Sequence, residues 1–106
     1  MNERFLRTLV FFDLPVDTEE DRRNYRRFHK YLIKSGYLML QESVYCRLSL
    51  NGSAQATLLG DLRKHRPPAG VVQVLTVTEK QYARMEYLTG SYEGDVICTD
   101  ERLVIL

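Results

Sequence analysis

The chain reads as a single α+β domain in which an antiparallel sheet carries helices on one face. Three features point there: abrupt apolar β-prone runs, two amphipathic helix-length segments between them, and turn or capping residues at nearly every junction. A length of 106 residues leaves material for one core.

Leu6 to Phe12 is almost continuously apolar, as a central strand buried on both faces would be, and Asp13-Leu14-Pro15 ends it because proline cannot extend a ladder. Thr18-Glu19-Glu20-Asp21 starts a helix, with Thr18 as N-cap and three acids where the helix dipole favours them. The helix runs to Ser35, and Gly36 suits its C-terminal cap. Tyr25, Phe28 and Leu32 share one side, while Arg23, Arg27, Lys30 and Lys34 share the opposite side. Tyr37 to Leu50 reads as a long strand with Leu38, Leu40, Val44, Cys46, Leu48 and Leu50 on one face and a bulge near Gln41-Glu42-Ser43. Asn51-Gly52-Ser53 turns into a second helix with Ala54, Leu58, Leu59 and Leu62 inward; its last turn is basic, and Pro67-Pro68-Ala69-Gly70 stops it. Val71 to Val77 is a further strand, Thr78 to Gln81 a capping box, and Met85 to Leu88 the fourth strand. Ser91 to Asp95 is a loop before a short apolar strand, Leu103 to Leu106. The fold class expected from these elements is the ferredoxin-like βαββαβ with that terminal strand appended, in one domain spanning residues 1–106.

Two helices cover only one face of such a sheet, yet the central strands are apolar on both. Self-association through the other face is the economical cover, so a homodimer is expected, with 102–106 pairing to a sheet edge, possibly the partner's.

Net charge is only +1, with 27% charged residues, which argues against a surface that coats polyanions everywhere. The distribution is local: residues 22–34 hold Arg22, Arg23, Arg26, Arg27, Lys30 and Lys34 without one acid. No apolar run approaches the ~20 residues of a membrane span. The opening residues read as a strand rather than a signal peptide, and Cys46 and Cys98 fit no metal spacing. A cytoplasmic protein with two reduced thiols and no membrane partner is expected. Nothing matches a phosphate loop or a Ser-His-Asp order, and His29 and His65 show no ligand spacing.

Phe11-Phe12-Asp13-Leu14-Pro15, Gly36 after a basic helix, Gln41-Glu42-Ser43-Val44-Tyr45 and Leu75-Thr76-Val77-Thr78-Glu79-Lys80-Gln81 occur in order along the chain. As a set they resemble the small CRISPR-associated adaptation protein that partners the CRISPR integrase, in the form found with single-effector (type II) systems. The resemblance implies a homodimer with swapped C-terminal strands that bridges two integrase dimers on double-stranded prespacer DNA. It also implies a Mg²⁺-dependent nuclease activity in some members, with Asp13 as catalytic and metal-binding residue. Mg²⁺ takes one or two carboxylates plus waters, so a two-fold axis bringing two copies of Asp13 together would supply the site. Met39 stands where some nuclease-active relatives carry a basic residue, which weakens that implication.

Ser43 and Tyr45 are placed on the polar side of their strand, within reach of a phosphate. Arg23, Arg27, Lys30 and Lys34 are the candidate nucleic-acid contacts, through phosphates rather than bases. Three functions follow: a DNA-binding scaffold in spacer acquisition, a Mg²⁺-dependent endonuclease on single-stranded RNA or double-stranded DNA, and a ferredoxin-like small-molecule sensor or RNA-binding module.

Overall fold

The computed structural model describes residues 5–92. Within them the elements are β1 (Leu6–Asp13), α1 (Glu19–Lys34), β2 (Leu38–Gln41), β3 (Val44–Ser49), α2 (Gly52–Lys64), β4 (Val71–Thr78) and a short α3 (Glu79–Tyr82). The strands form one antiparallel sheet in the order β2-β3-β1-β4, the ferredoxin-like arrangement. β1 is paired along both edges, from Leu6↔Ser49 to Phe11↔Val44 on one side and from Leu6↔Thr78 to Asp13↔Val71 on the other.

The junctions follow their sequence signals. The Thr18 side chain accepts from the Asp21 backbone N–H, and the Asp21 carboxylate accepts from Thr18 N–H, a reciprocal cap on α1. At the other end Gly36 has φ +91°. Its N–H donates to Ile33 O, and that of Tyr37 to Leu32 O, the bond pattern that closes a helix through a left-handed residue. Asn51 caps α2 through Ala54 N–H, and Thr78 with Gln81 makes a second reciprocal cap on α3.

The run 37–50 is a hairpin, not one bulged strand. Glu42 and Ser43 form its turn, with Ser43 at φ +66°, and the chain reverses there. The expected irregularity is nonetheless present: Met39 pairs Tyr45 and Gln41 pairs Val44, which leaves Leu40 as the extra residue. The turn is tied to the central strand by a hydrogen bond from Phe12 N–H to Ser43 O, 3.1 Å.

The core lies between sheet and helices: Val10, Phe12, Leu14, Phe28, Leu32, Tyr37, Tyr45, Leu58 and Leu62. Phe12 is its hub, edge-on to Phe28 at 5.2 Å and stacked with Tyr45 at 5.6 Å. In α2, Gln55 rather than Ala54 turns inward. The reason is a polar chain that begins at the buried Thr8, whose Oγ1 donates to Gln55 Oε1, and ends where Gln55 Nε2 donates to Oγ1 of the exposed Thr76, each 2.8 Å.

The helix-free face is partly covered by the chain itself. α3 folds back over it, and Met85 and Tyr87 pass over Leu9 and Phe11, enclosing about 320 Å³ with Leu40 and Val44. Residues 85–88 are therefore not a strand: the alternation of Met85 and Tyr87 serves to cover a face, while hydrogen bonding along β1 is already complete on both edges. Leu38, Leu48 and Leu75 stay exposed on that face. The expected terminal strand at 103–106, its pairing segment 102–106 and most of the loop at 91–95 fall outside the described residues.

Gly70, at φ +91°, sits where a Cβ would lie 2.7 Å from Asp13 O and 2.7 Å from Leu14 Cδ2. Gly60, within α2, would place a Cβ in open space. Opposite outcomes are expected. Gly70→Ala should cost about 2 kcal/mol or more, from strain and collision together. Gly60→Ala should stabilise by about 0.5–1 kcal/mol. Thermal unfolding midpoints of the two variants against the unmodified chain test both signs.

Candidate nucleic-acid interface

α1 positions the cationic candidates. Burying Phe28 and Leu32 fixes the helix's rotation, so Arg23, Arg27, Lys30 and Lys34 are all exposed on its outer side. Arg22 and Arg26 are engaged instead by Glu19, at 3.2 and 3.8 Å. Among the described residues Arg23, Arg27, Lys30 and Lys34 form no ion pair. Arg27 donates one hydrogen bond to Asn24 Oδ1 at 3.3 Å, which leaves most of its donors free.

Asp13 ends β1 and is exposed, on the helix-free face that Leu9 and Phe11 share by alternation. Its oxygens are the hard donors that Mg²⁺ prefers, but their number is short. Among the described residues no group of three or more His, Cys, Asp or Glu is placed to hold a metal ion. Asp13 alone is too few ligands, since Mg²⁺ is usually held by one or two carboxylates with waters and substrate oxygens. The structure brings Asp13 and the four cations together in no common pocket: the carboxylate belongs to one face of the sheet, the cations to the helical layer on the other.

Two sequence expectations need correction. Tyr45 is buried, 1% exposed, and stacks on Phe12; its hydroxyl and His29 Nδ1 share a hydrogen bond. It is paired with Val10 and faces the helices, so it does not meet a phosphate. Burial raises its pKa above the ordinary phenol value. His29 is accordingly a half-buried partner of Tyr45 rather than a surface histidine. Ser43 is the positive-φ residue of the hairpin turn, where its backbone carbonyl is used.

On the helix-free face a charged clasp escaped the sequence reading. Arg7 Nε and Nη2 donate to the two oxygens of Glu79 at 2.7 and 3.0 Å, and the guanidinium lies 4.5 Å over the Tyr82 ring. Beneath it Cys46 is fully buried and free, with its thiol 3.8 Å from the Tyr82 hydroxyl. The hydrogen bond from Arg7 holds the Glu79 carboxyl below its ordinary value of 4.5, and Glu79 in turn raises Arg7 further above an already high pKa. A cue existed, since Thr78-Glu79-Lys80-Gln81 starts a helix directly after a strand paired to Arg7's own.

The architecture defines a small ferredoxin-like domain that presents a cationic helical layer and keeps the sheet's second face for apolar contact. Within that class the sequence is specific: a profile of the family described as CRISPR associated protein Cas2 matches residues 6–85, and the chain belongs to that family. A Treponema denticola protein named CRISPR-associated endoribonuclease Cas2 is 54% identical over 101 residues, covering 95% of this chain and 100% of the relative. Proteins of the same name from Streptococcus mutans and Lacticaseibacillus rhamnosus are 45% and 42% identical over 101 residues; each comparison covers 95% of this chain and, respectively, 93% and 100% of the relative. Among the described residues no helix is long and apolar enough to cross a membrane.

The clasp gives a pH prediction. Because the Glu79 carboxyl is held low when folded, its contribution is present above the ordinary carboxylate range and is lost as pH falls through the folded-state value. With both side chains partly exposed, Glu79→Gln should cost no more than about 1 kcal/mol at pH 7. The gap from the unmodified chain should begin to narrow as pH falls through the ordinary carboxylate range and close only below the lower folded-state value, in urea titrations at successive pH values.

Proposed function

We propose that this protein is a dimeric, DNA-binding scaffold of CRISPR spacer acquisition, acting in the cytoplasm and bridging integrase dimers on a prespacer duplex. The observation that carries the reading is the outer side of α1: four exposed cations with no ion pair among the described residues, on a chain of the Cas2 family. A solvated surface helix normally mixes signs along such a face, whereas a row of cations of this length meets the phosphates of a duplex without reading its bases. The exposed apolar side chains of the helix-free face support self-association, which would repeat the row about a two-fold axis. Residues 102–106 are proposed to pair with a sheet edge of the partner.

Salt dependence tests this reading. Alanine substitution at Arg23, Arg27, Lys30 or Lys34 should lower the slope of log affinity against log salt by about 0.9 for each phosphate no longer neutralised. The loss should be alike for two duplexes of unrelated sequence. Unfolding midpoints should stay within about 0.5 kcal/mol of the unmodified chain.

A nuclease function is supported by the relatives' name, CRISPR-associated endoribonuclease, and by the exposed carboxylate at the end of β1. Asp13 from two protomers would hold Mg²⁺, which would supply an activated water and neutralise developing charge on a phosphodiester of RNA or DNA. Asp13→Asn should reduce Mg²⁺-dependent cleavage to background while duplex affinity stays within about twofold, ~0.4 kcal/mol. Cleavage that survives the substitution in rigorously purified protein would remove Asp13 from the chemistry.

A further inference from the structure

We infer that two copies of this chain lock together through Leu88, which projects from the segment covering one copy's sheet and seats in the cavity beside the same segment of the other. The inference rests on the self-association proposed above and names the contact that carries it.

The segment after α3 is not a flat lid. Met85, Tyr87, Gly90 and Ser91 wall the cavity of about 320 Å³, together with Phe11 and Leu40 of the sheet. Leu88 is not part of that wall. Its side chain is 91% exposed, the largest value for a big apolar residue among those described, the next being Leu50 at 62%. The segment lies over Leu9 and Phe11 of the central strand, and the sheet stays open on both sides of it: Leu38 and Leu48 are exposed on β2 and β3, Val71 and Leu75 on β4. It is therefore a ridge along β1 with an apolar strip on each flank, and Leu88 is its most exposed side chain.

A single exposed leucine needs no explanation. This one shares a face with a recess walled largely by apolar side chains and with four other exposed apolar residues. A projection and a recess on one face are what a two-fold pair requires, since each copy gives its projection to the other's recess. An unrelated partner would call for only one of them. Charge follows the same logic. Arg84 and Glu86 flank Met85, both exposed, and neither forms an ion pair among the described residues. Opposite unpaired charges on one segment suit a surface that meets its own copy, where each sign finds the other. A surface built for a polyanion would carry one sign only.

The test is sedimentation equilibrium of the full chain over a range of concentrations, for the unmodified protein, Leu88→Asp, Ile33→Asp, Leu88→Ala, Leu40→Ala and the two alanine changes combined. Ile33 is a half-exposed apolar residue of α1, in the layer on the other side of the sheet, and controls for the change of an accessible apolar side chain to an acid. Leu88→Asp should weaken self-association by about tenfold or more, the loss of one buried leucine, while Ile33→Asp stays within about twofold. The two alanine changes should be non-additive, because a leucine and the wall of its recess lose the same contact. Leu88→Asp dimers as tight as those of the unmodified chain overturn the inference and leave self-association standing. Equal weakening by Ile33→Asp overturns it as well, and so do additive alanine changes, since neither result places Leu88 in the recess. A chain that stays monomeric at every concentration overturns the inference together with the dimeric reading.

Discussion

β1 is hydrogen-bonded along both edges and carries apolar side chains on both faces, and most of the molecule is arranged to satisfy those four demands. β3 and β4 take the edges. α1 and α2 take one face, where Val10 and Phe12 meet Phe28 and Leu62. The last demand is met by an irregular piece of chain: α3, fastened by the Arg7–Glu79 pair, with Met85 and Tyr87 following over Leu9 and Phe11. That cover is incomplete, and the leucines left open at 38, 48 and 75 are a physical reason for a second molecule to settle there.

How much of this could be read from the chain depended on whether the signal was local. Helix ends were legible, because Thr18, Gly36, Asn51 and Thr78 act through bonds to neighbours three or four residues away. The rotation of α1 was legible too, since Tyr25, Phe28 and Leu32 repeat at helical spacing. The hairpin was not. Alternation across Leu38, Leu40, Val44 and Cys46 looks continuous because the bulge at Leu40 and the two-residue turn together preserve the rhythm while reversing direction. Nor does alternation say which face the helices take when both faces are apolar. Tyr45 was therefore assigned to the polar side, and Cys46, on the opposite face, ended beneath Tyr82. Gln55 turned inward for a reason visible only in space, two threonines on adjacent strands that need a shared partner.

The candidate site divides in the same way. An exposed cation row on one helix is a periodic property and survives from sequence to structure without change. The way the end of α2 meets α1 is not such a property: it depends on the Tyr31–His65 stack, a contact across 34 positions that no spacing rule anticipates. Asp13 is a third case: its place at the end of β1 was legible, but among the described residues no group of three or more metal-ligating side chains gathers there.

The close fit at Gly70 acquires significance from where it lies. Asp13 O and Leu14 press against this residue, and the segment around it also packs beside Pro15 and Asn24 through Pro67 and Ala69. The end of the central strand and the exit from α2 therefore meet at Gly70 with no room for a side chain, while Pro67 and Ala69 face the entry to α1 across a small cavity. A contact of that kind behaves as a gauge. The place of the strand-end residue Asp13 against the exit from α2 is set by backbone contact at Gly70, so the length of the connection 65–70 bears on how α2 sits over the end of β1. An insertion between 65 and 69 would have to leave Gly70 against Asp13 for that spacing to hold.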